Sequence, residues 1–265
     1  MSSKDTEIKN YWNERADKAF AQDLNPQATT DDVYLRNLEI STLKKAILEL
    51  QGKQLQVLDV GCGDGFTTIE ISSLPNVAHV VGVDYSESMI KSAMKRKISG
   101  DLSNIDFLQG DVNEIDLLFS KKFDIIISNR CLINLTSWEM QQGALKKIHS
   151  LLSNNGAYFA TENFLGGQLN LNNLRGQLGL NEIPIRWHNL YYNESDYLDY
   201  ANSLFKGVDI INFSSTYYYI SRGVYSKYCL ETGEDISYHH ALHKIAVEFP
   251  TIGDFSPIKF VKHFR

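Results

Sequence analysis

The sequence predicts an α/β protein built on an open, doubly wound sheet. Two observations carry that expectation. From residue 55 onward, short apolar or β-branched runs (LQVLDV, AHVVGVD, IDFLQGD, FDIIISN, GAYFATE) alternate with amphipathic segments. Strands separated by helices imply parallel pairing through right-handed crossovers. The first run also ends in a glycine-rich turn, VLDVGCGDG at 57–65, and acids close the next two runs at Asp84 and Asp111. Ligands of such sheets collect outside the carboxyl ends of the strands.

Taken in order, the first helix contains YWNERA (11–16), and a second begins near Thr30, an N-cap candidate followed by acids. Leu43, Ala46, Ile47 and Leu50 fall at helical spacing on it, with Gly52 as the stop. Five strands follow, with helices over 86–98 and 138–152, the latter presenting Leu145, Ile148 and Leu152 on one face. After the fifth strand, NFLGGQLNLNNLRGQLGL and IPIRWHNLYYNESDYLDY read as a lid-like insertion, poor in apolar periodicity around 163–182. VDIINFSS is the sixth strand, IKFVKHF the seventh, and 214–256 a second insertion. The expected organisation is one domain over 1–265: N-terminal cover helices (1–52), a cofactor-binding core (53–163), a lid and acceptor insertion (164–206), and the C-terminal strands with their insertion (207–265).

Composition narrows the function. With 43% hydrophobic and 22% charged residues and no bilayer-length apolar stretch, a soluble globular protein is expected. MSSKDTEIKN lacks the apolar core of a signal peptide, so the expected location is cytoplasmic. A net charge of -6 offers no basic field for a phosphate backbone. Lys91, Lys95, Arg96 and Lys97 alternate with Ile90, Met94 and Ile98, as on the solvated face of an ordinary helix. Neither nucleic acid nor a membrane is an expected partner. Cys62, Cys131 and Cys229 have no CxxC spacing, which argues against disulfides and structural zinc.

GxGxG alone indicates only a nucleotide-like ligand. Phe66 stands where the dinucleotide fingerprint needs its third glycine, and GK[ST] is missing from the turn. Carboxylate Asp59 beside the glycines would repel a phosphate and suit a cation. S-adenosylmethionine, with a sulfonium, an ammonium and no phosphate, is such a ligand. Asp84 lies 25 residues beyond Asp59, close to the roughly 20 that separate the glycines from a ribose-binding acid. Asp111, in GDV, is placed to meet the adenine amino group.

These segments resemble the class I S-adenosylmethionine-dependent methyltransferases. VLDVGCGDG is similar to their first motif, VVGVDYSESMI to the second, FLQGDVNEI to the third, FDIIISNRCLINL to the fourth and LLSNNGAYFATEN to the strand-five region, in register over about 55–163. The resemblance implies strand order 3-2-1-4-5-7-6 with the last strand antiparallel. It also implies cofactor contacts at Asp59, Gly61, Cys62, Gly63, Asp84, Tyr85, Met89, Asp111, Val112 and Asn129. YWNERA and YLRNLEI look like cover helices, so Tyr11 and Arg36 would reach the methionine end, Arg36 by pairing with its carboxylate. The alternatives are structural: Met89 as helix core, Tyr11 and Trp12 as an apolar helix face. Asp124 reads as a structural acid at a strand start.

Methyl transfer from a sulfonium is an in-line displacement, and a hydroxyl acceptor also needs a base. SNRCLIN (128–134) has neither the acids of metal-assisted catechol-type enzymes, nor the [DN]PP[YF] of base-amino methyltransferases, nor the acid-rich motif of aminopropyl transferases. No metal is expected. His188 in RWHN is the candidate base, where burial would tune an imidazole to neutral pH, and Glu162 is the second candidate. Arg130, Asn134, Arg175, Trp187, Asn189 and Tyr191 are the candidate acceptor-binding residues, with bracing of the loop or lid as the alternative. His239 and His243 of HHALH read as surface histidines, and YYYISRGVY (217–225) as core or a subunit interface, hence a possible homodimer. The insertions look similar to those of bacterial enzymes that methylate sugars or surface-glycan precursors. The expectation is methyl transfer to a hydroxyl or amine of a small polar acceptor. The competing expectations are a protein or RNA methyltransferase and a non-catalytic scaffold that binds S-adenosylmethionine.

Overall fold

A computed structural model describes residues 3–22, 29–50 and 54–265. Two helices, α1 (Ser3–Ala21) and α2 (Val33–Leu48), precede the sheet. β1 (Leu55–Val60), α3 (Phe66–Ser72), β2 (Val77–Asp84), α4 (Glu87–Ser99), β3 (Ile105–Gln109), β4 (Phe123–Asn129), α5 (Trp138–Leu151) and β5 (Leu152–Asn163) follow in alternation. Seven strands form one sheet in the order β3-β2-β1-β4-β5-β7-β6, where β6 is Gly207–Ile211 and β7 is Ile258–Phe264. The first five pair in parallel, and β7 runs antiparallel to both β5 and β6.

Helices on both faces explain why the inner strands read as nearly unbroken apolar runs rather than alternating ones. Leu58, Val60, Ile126 and Tyr158 face Leu145 and Ile148 of α5. On the opposite face Val57, Ile125, Ile127 and Phe159 pack under Leu43 and Ile47 of α2 and Ile71 of α3. Asp124 accepts hydrogen bonds from the Gln56 amide (3.0 Å) and from Ser153 Oγ (3.4 Å), the structural task expected of it.

Three local readings change. The N-cap of α2 is Asp32, whose Oδ1 accepts from the Leu35 amide at 3.1 Å, while Thr30 Oγ1 accepts from the Asp32 amide. The expected stop at Gly52 lies outside the described residues. The stretch that lacked clear periodicity is helical: α6 (Leu165–Gln177) follows β5 directly, and irregular chain from 178 to 193 leads to α7 (Glu194–Leu204). The second insertion holds α8 (Ser215–Tyr218), a π-helical turn (Tyr219–Val224), α9 (Tyr225–Thr232) and α10 (Ala241–Ala246). His243 is buried there against the Tyr217 hydroxyl (2.8 Å), contrary to the surface position expected, whereas His239 is exposed.

Candidate active site

A cavity of about 700 Å³ opens at the carboxyl ends of β1, β2, β4 and β5. Gly61, Gly63, Asp84, Tyr85, Met89, Asp111, Val112 and Asn129 line one end. Gly61 adopts φ +72°, and a Cβ there would lie 2.3 Å from Cys131 Sγ, so backbone alone fits between β1 and the loop after β4. Asp84 Oδ2 accepts from the Gly63 amide (2.9 Å) and Oδ1 from the Ser86 amide (2.9 Å). Burial raises its pKa to about 6. Each oxygen keeps a lone pair for a ligand. Asp111 uses Oδ1 to cap the turn at Asn113 (2.8 Å), and Asn129 Oδ1 accepts from Thr161 Oγ1 (2.8 Å). Met89 packs against Ala16 and Ala19 of α1 while lining the cavity, so its core and site readings both hold.

Asp59 and Arg36 lie behind the glycine turn, in a small recess shared with Gly61, Gly63 and Arg130. Asp59 accepts from Thr68 Oγ1 at 2.6 Å, and burial raises its pKa to about 7. Arg36 packs its guanidinium 4.1 Å from the Phe66 ring centre, and its Nε and one terminal nitrogen are buried without a partner. Burial lowers its pKa, with Asp64 opposing.

The other end of the cavity is lined by Arg130, Asn134, His188, Asn189 and Tyr191, together with Trp12, Arg186, Tyr218 and Arg222. His188 is 4% exposed. Its Nδ1 lies 3.1 Å from Asn134 Oδ1, and its Nε2 is buried without a partner. Burial, then the nearby Arg186, lower its pKa to about 4. The ring stacks on Tyr11 at 4.7 Å and meets Trp12 and Trp187 edge-on.

Several expected site residues do other work. Glu162 is fully buried outside the cavity wall, and its carboxylate accepts from Ser128 Oγ (3.0 Å) and from the amides of Cys131, Leu132 and Ile133 (3.1, 3.0 and 3.4 Å). It holds the loop after β4 and does not line the cavity, as the second candidate base would have to. Cys62 borders the recess of Asp59 and Arg36 while its side chain packs in the apolar cluster of Ala93, Ile105 and Phe107. Tyr11 and Trp187 do not line the cavity; they pack around His188, with Trp187 52% exposed. Arg175 donates to the carbonyls of Asn181 (Nε, 2.8 Å) and Arg222, bracing α6 against the π-helical turn. Asn134 reaches the wall with its amide already committed: Nδ2 donates to the carbonyls of Arg130 (2.9 Å) and Cys131 (3.2 Å), and Oδ1 accepts from Trp12 Nε1 (3.2 Å). Arg130, at φ +51°, sets its Nε 3.0 Å from Glu39 Oε1.

Sequence reasoning missed Tyr218, Arg222 and Tyr238, which enter the wall from the second insertion, and Trp12 from α1. The YYYISRGVY run and the pair Tyr11–Trp12 were visible signals, but nothing local shows that so distant a segment folds back over the sheet edge.

A family model described as a methyltransferase domain matches residues 51–178. Residues 51–178 therefore form a methyltransferase domain of the class I type. Over 75 residues the chain is 35% identical to a malonyl-[acyl-carrier protein] O-methyltransferase of Bacillus anthracis, covering 28% of this chain and 26% of that protein. It thus spans about a quarter of that relative's length. A carboxy-S-adenosyl-L-methionine synthase of Nautilia profundicola is 26% identical over 191 residues, covering 66% of this chain and 78% of the relative. Among solved structures, magnesium protoporphyrin IX methyltransferase from Synechocystis PCC 6803, crystallised with bound SAH, superposes with TM-score 0.62 at 16% identity over 98% of this chain and 99% of that one. At that identity the likeness is one of fold.

Proposed function

We propose that this methyltransferase moves the methyl group of S-adenosylmethionine to a hydroxyl of a small polar acceptor, with His188 taking the hydroxyl proton. The observation that carries the reading is the bare, buried Nε2 of His188 in the wall of a cavity whose far end is the glycine turn and Asp84.

The donor set suits the cofactor. Arg36 presents buried, unpartnered N–H groups beside the glycine turn, as a carboxylate requires. Asp59 gives the same recess a negative partner for an ammonium. Asp84 has lone pairs left for a ribose diol, and Asp111 Oδ2 is placed for an amino group. When bound, S-adenosylmethionine supplies an electrophilic methyl on a sulfonium.

The chain's own groups do the rest. Asn134 Oδ1 is an acceptor, so His188 donates to it from Nδ1 and keeps its lone pair on Nε2. A pKa of about 4 keeps the ring neutral across the physiological range. The hydroxyl loses its proton only as its oxygen bonds to carbon, when its acidity rises steeply, so a weak base in the right place suffices. Asn163 Oδ1 and Asn189 Oδ1 are also buried in the wall without partners. Three acceptors in one chamber favour a ligand rich in O–H or N–H donors, such as a sugar. Ile183, Pro184, Arg186 and Asn189 cover the chamber from the segment after β5, which acts as the lid. The reading carries with it a cytoplasmic, small-molecule acceptor; among the described residues no helix is long and apolar enough to cross a membrane.

His188→Ala should lower turnover by roughly 10²-fold or more and leave S-adenosylhomocysteine affinity, measured by calorimetry, unchanged. Undiminished turnover would remove the base from the scheme.

A further inference from the structure

The hydrogen bonds around Asn134 run in one direction only. Its Nδ2 protons go to the Arg130 and Cys131 carbonyls, and its Oδ1 takes the Trp12 indole N–H. Turning the amide over would set Oδ1 against two carbonyl oxygens and Nδ2 against an N–H donor, three like-with-like contacts at once. The orientation is therefore determined, and with it the identity of the atom facing His188 Nδ1 at 3.1 Å. That atom is an acceptor, so the Nε2–H tautomer would oppose two lone pairs there.

We propose that Asn134 is a positioning residue that selects the Nδ1–H tautomer of His188 and thereby leaves Nε2 able to accept a proton. The proposal rests on the base reading of His188.

Each part of the scaffold that fixes Asn134 is itself fixed. The Arg130 carbonyl is presented by a left-handed residue (φ +51°) immediately after β4. The amides of Cys131, Leu132 and Ile133 are gathered by Glu162. A buried carboxylate outside the cavity wall thus acts on the base through a loop and an amide. The indole arrives from α1, so the N-terminal helix completes the arrangement, with Tyr11 stacked at 4.7 Å on the imidazole. The charged groups facing His188 are Arg186 beside it in the chain and Arg15 on α1, both positive; Trp12 and Trp187 meet the ring edge-on, and Asn189 follows it in the cavity wall. No carboxylate stands among these neighbours to pull a second proton onto the ring.

The test is imidazole ¹⁵N spectroscopy of the full chain labelled at histidine, at pH 7, with the His188 signals assigned by their loss in His188→Ala. The wild type should show a protonated Nδ1 and a bare Nε2. In Asn134→Leu the Nε2–H form should appear, with kcat at least about tenfold lower and cofactor Kd within about twofold of wild type. Asn134→Asp keeps an acceptor at the same place, so it should retain the Nδ1–H tautomer and shift the imidazole titration to higher pH. A His188 that stays Nδ1–H in Asn134→Leu overturns the proposal, as does an unchanged kcat. Full turnover in His188→Ala overturns the base reading and the catalytic half of the proposal with it, whatever the tautomers show. These failures are separable, because the spectroscopic readout does not depend on turnover.

Discussion

At the scale of single residues, two histidine and carboxylate environments set distinct pH behaviour. His188 titrates near pH 4 and Asp84 near pH 6 in the free protein. Acidification should therefore weaken cofactor binding first: KM for S-adenosylmethionine should rise below about pH 6 while kcat stays level to about pH 5, as initial rates over a pH series would show. A kcat that falls over the same pH range in which KM rises would contradict the assignment. Glu162 makes a stability prediction. Burial raises it from 4.5 to about 7, so the folded state holds the proton more tightly than the unfolded chain. Stability from this group is complete below the unfolded value and is lost as pH rises through the folded one, between about 4.5 and 7. Melting temperature should decline across that window, and Glu162→Gln should flatten the decline; an unchanged slope would mean that the carboxylate is ionised throughout. Residues of this kind explain what was legible. Asp84, Gly61 and Asp111 could be read because their spacing follows from strand ends. Glu162 could not, since a buried acid gathering backbone amides and a catalytic acid look alike until the amides are placed.

At the scale of elements, α2 and the second insertion are locked together at Asp32. This carboxylate caps α2, accepts from Tyr217 Oη at 2.5 Å and pairs with Arg222 of the π-helical turn. Asp32→Ala would remove a cap and leave a largely buried guanidinium without its partner, costing about 3 kcal/mol or more in urea denaturation. A loss below about 1 kcal/mol would show that solvent or Tyr218 compensates. The seven strands were legible as a pattern because each inner strand is buried on both faces. α6 was not, because Gly166, Gly167 and its asparagines weaken its periodicity, and the contact of Arg175 with Arg222 of the second insertion supplies what propensity does not. The π-helical turn left no mark in the sequence beyond its aromatic run.

At the scale of the whole molecule, the cavity is assembled from parts far apart in the chain. α1, the glycine turn, the loop after β4, the lid and the second insertion meet only because the sheet order brings them to one edge. Ligand binding should stabilise them together: S-adenosylhomocysteine at about 100 times its Kd should add about 2.7 kcal/mol to the unfolding free energy. A melt that is insensitive to the ligand would argue that Arg36 and Asp84 serve the fold alone. The sequence made the strand-end side of the cavity legible and left its other end to distant residues, which is why the proposed acceptor is argued from unpartnered wall atoms. The most direct test of that argument follows a radiolabelled methyl group from S-adenosylmethionine into the small-molecule fraction of a native-cell extract, with wild-type protein and His188→Ala side by side. Label in small, hydroxyl-rich compounds, reduced by roughly 10²-fold in the variant, is the expected result; label confined to protein or RNA, or equal labelling by both proteins, would contradict it.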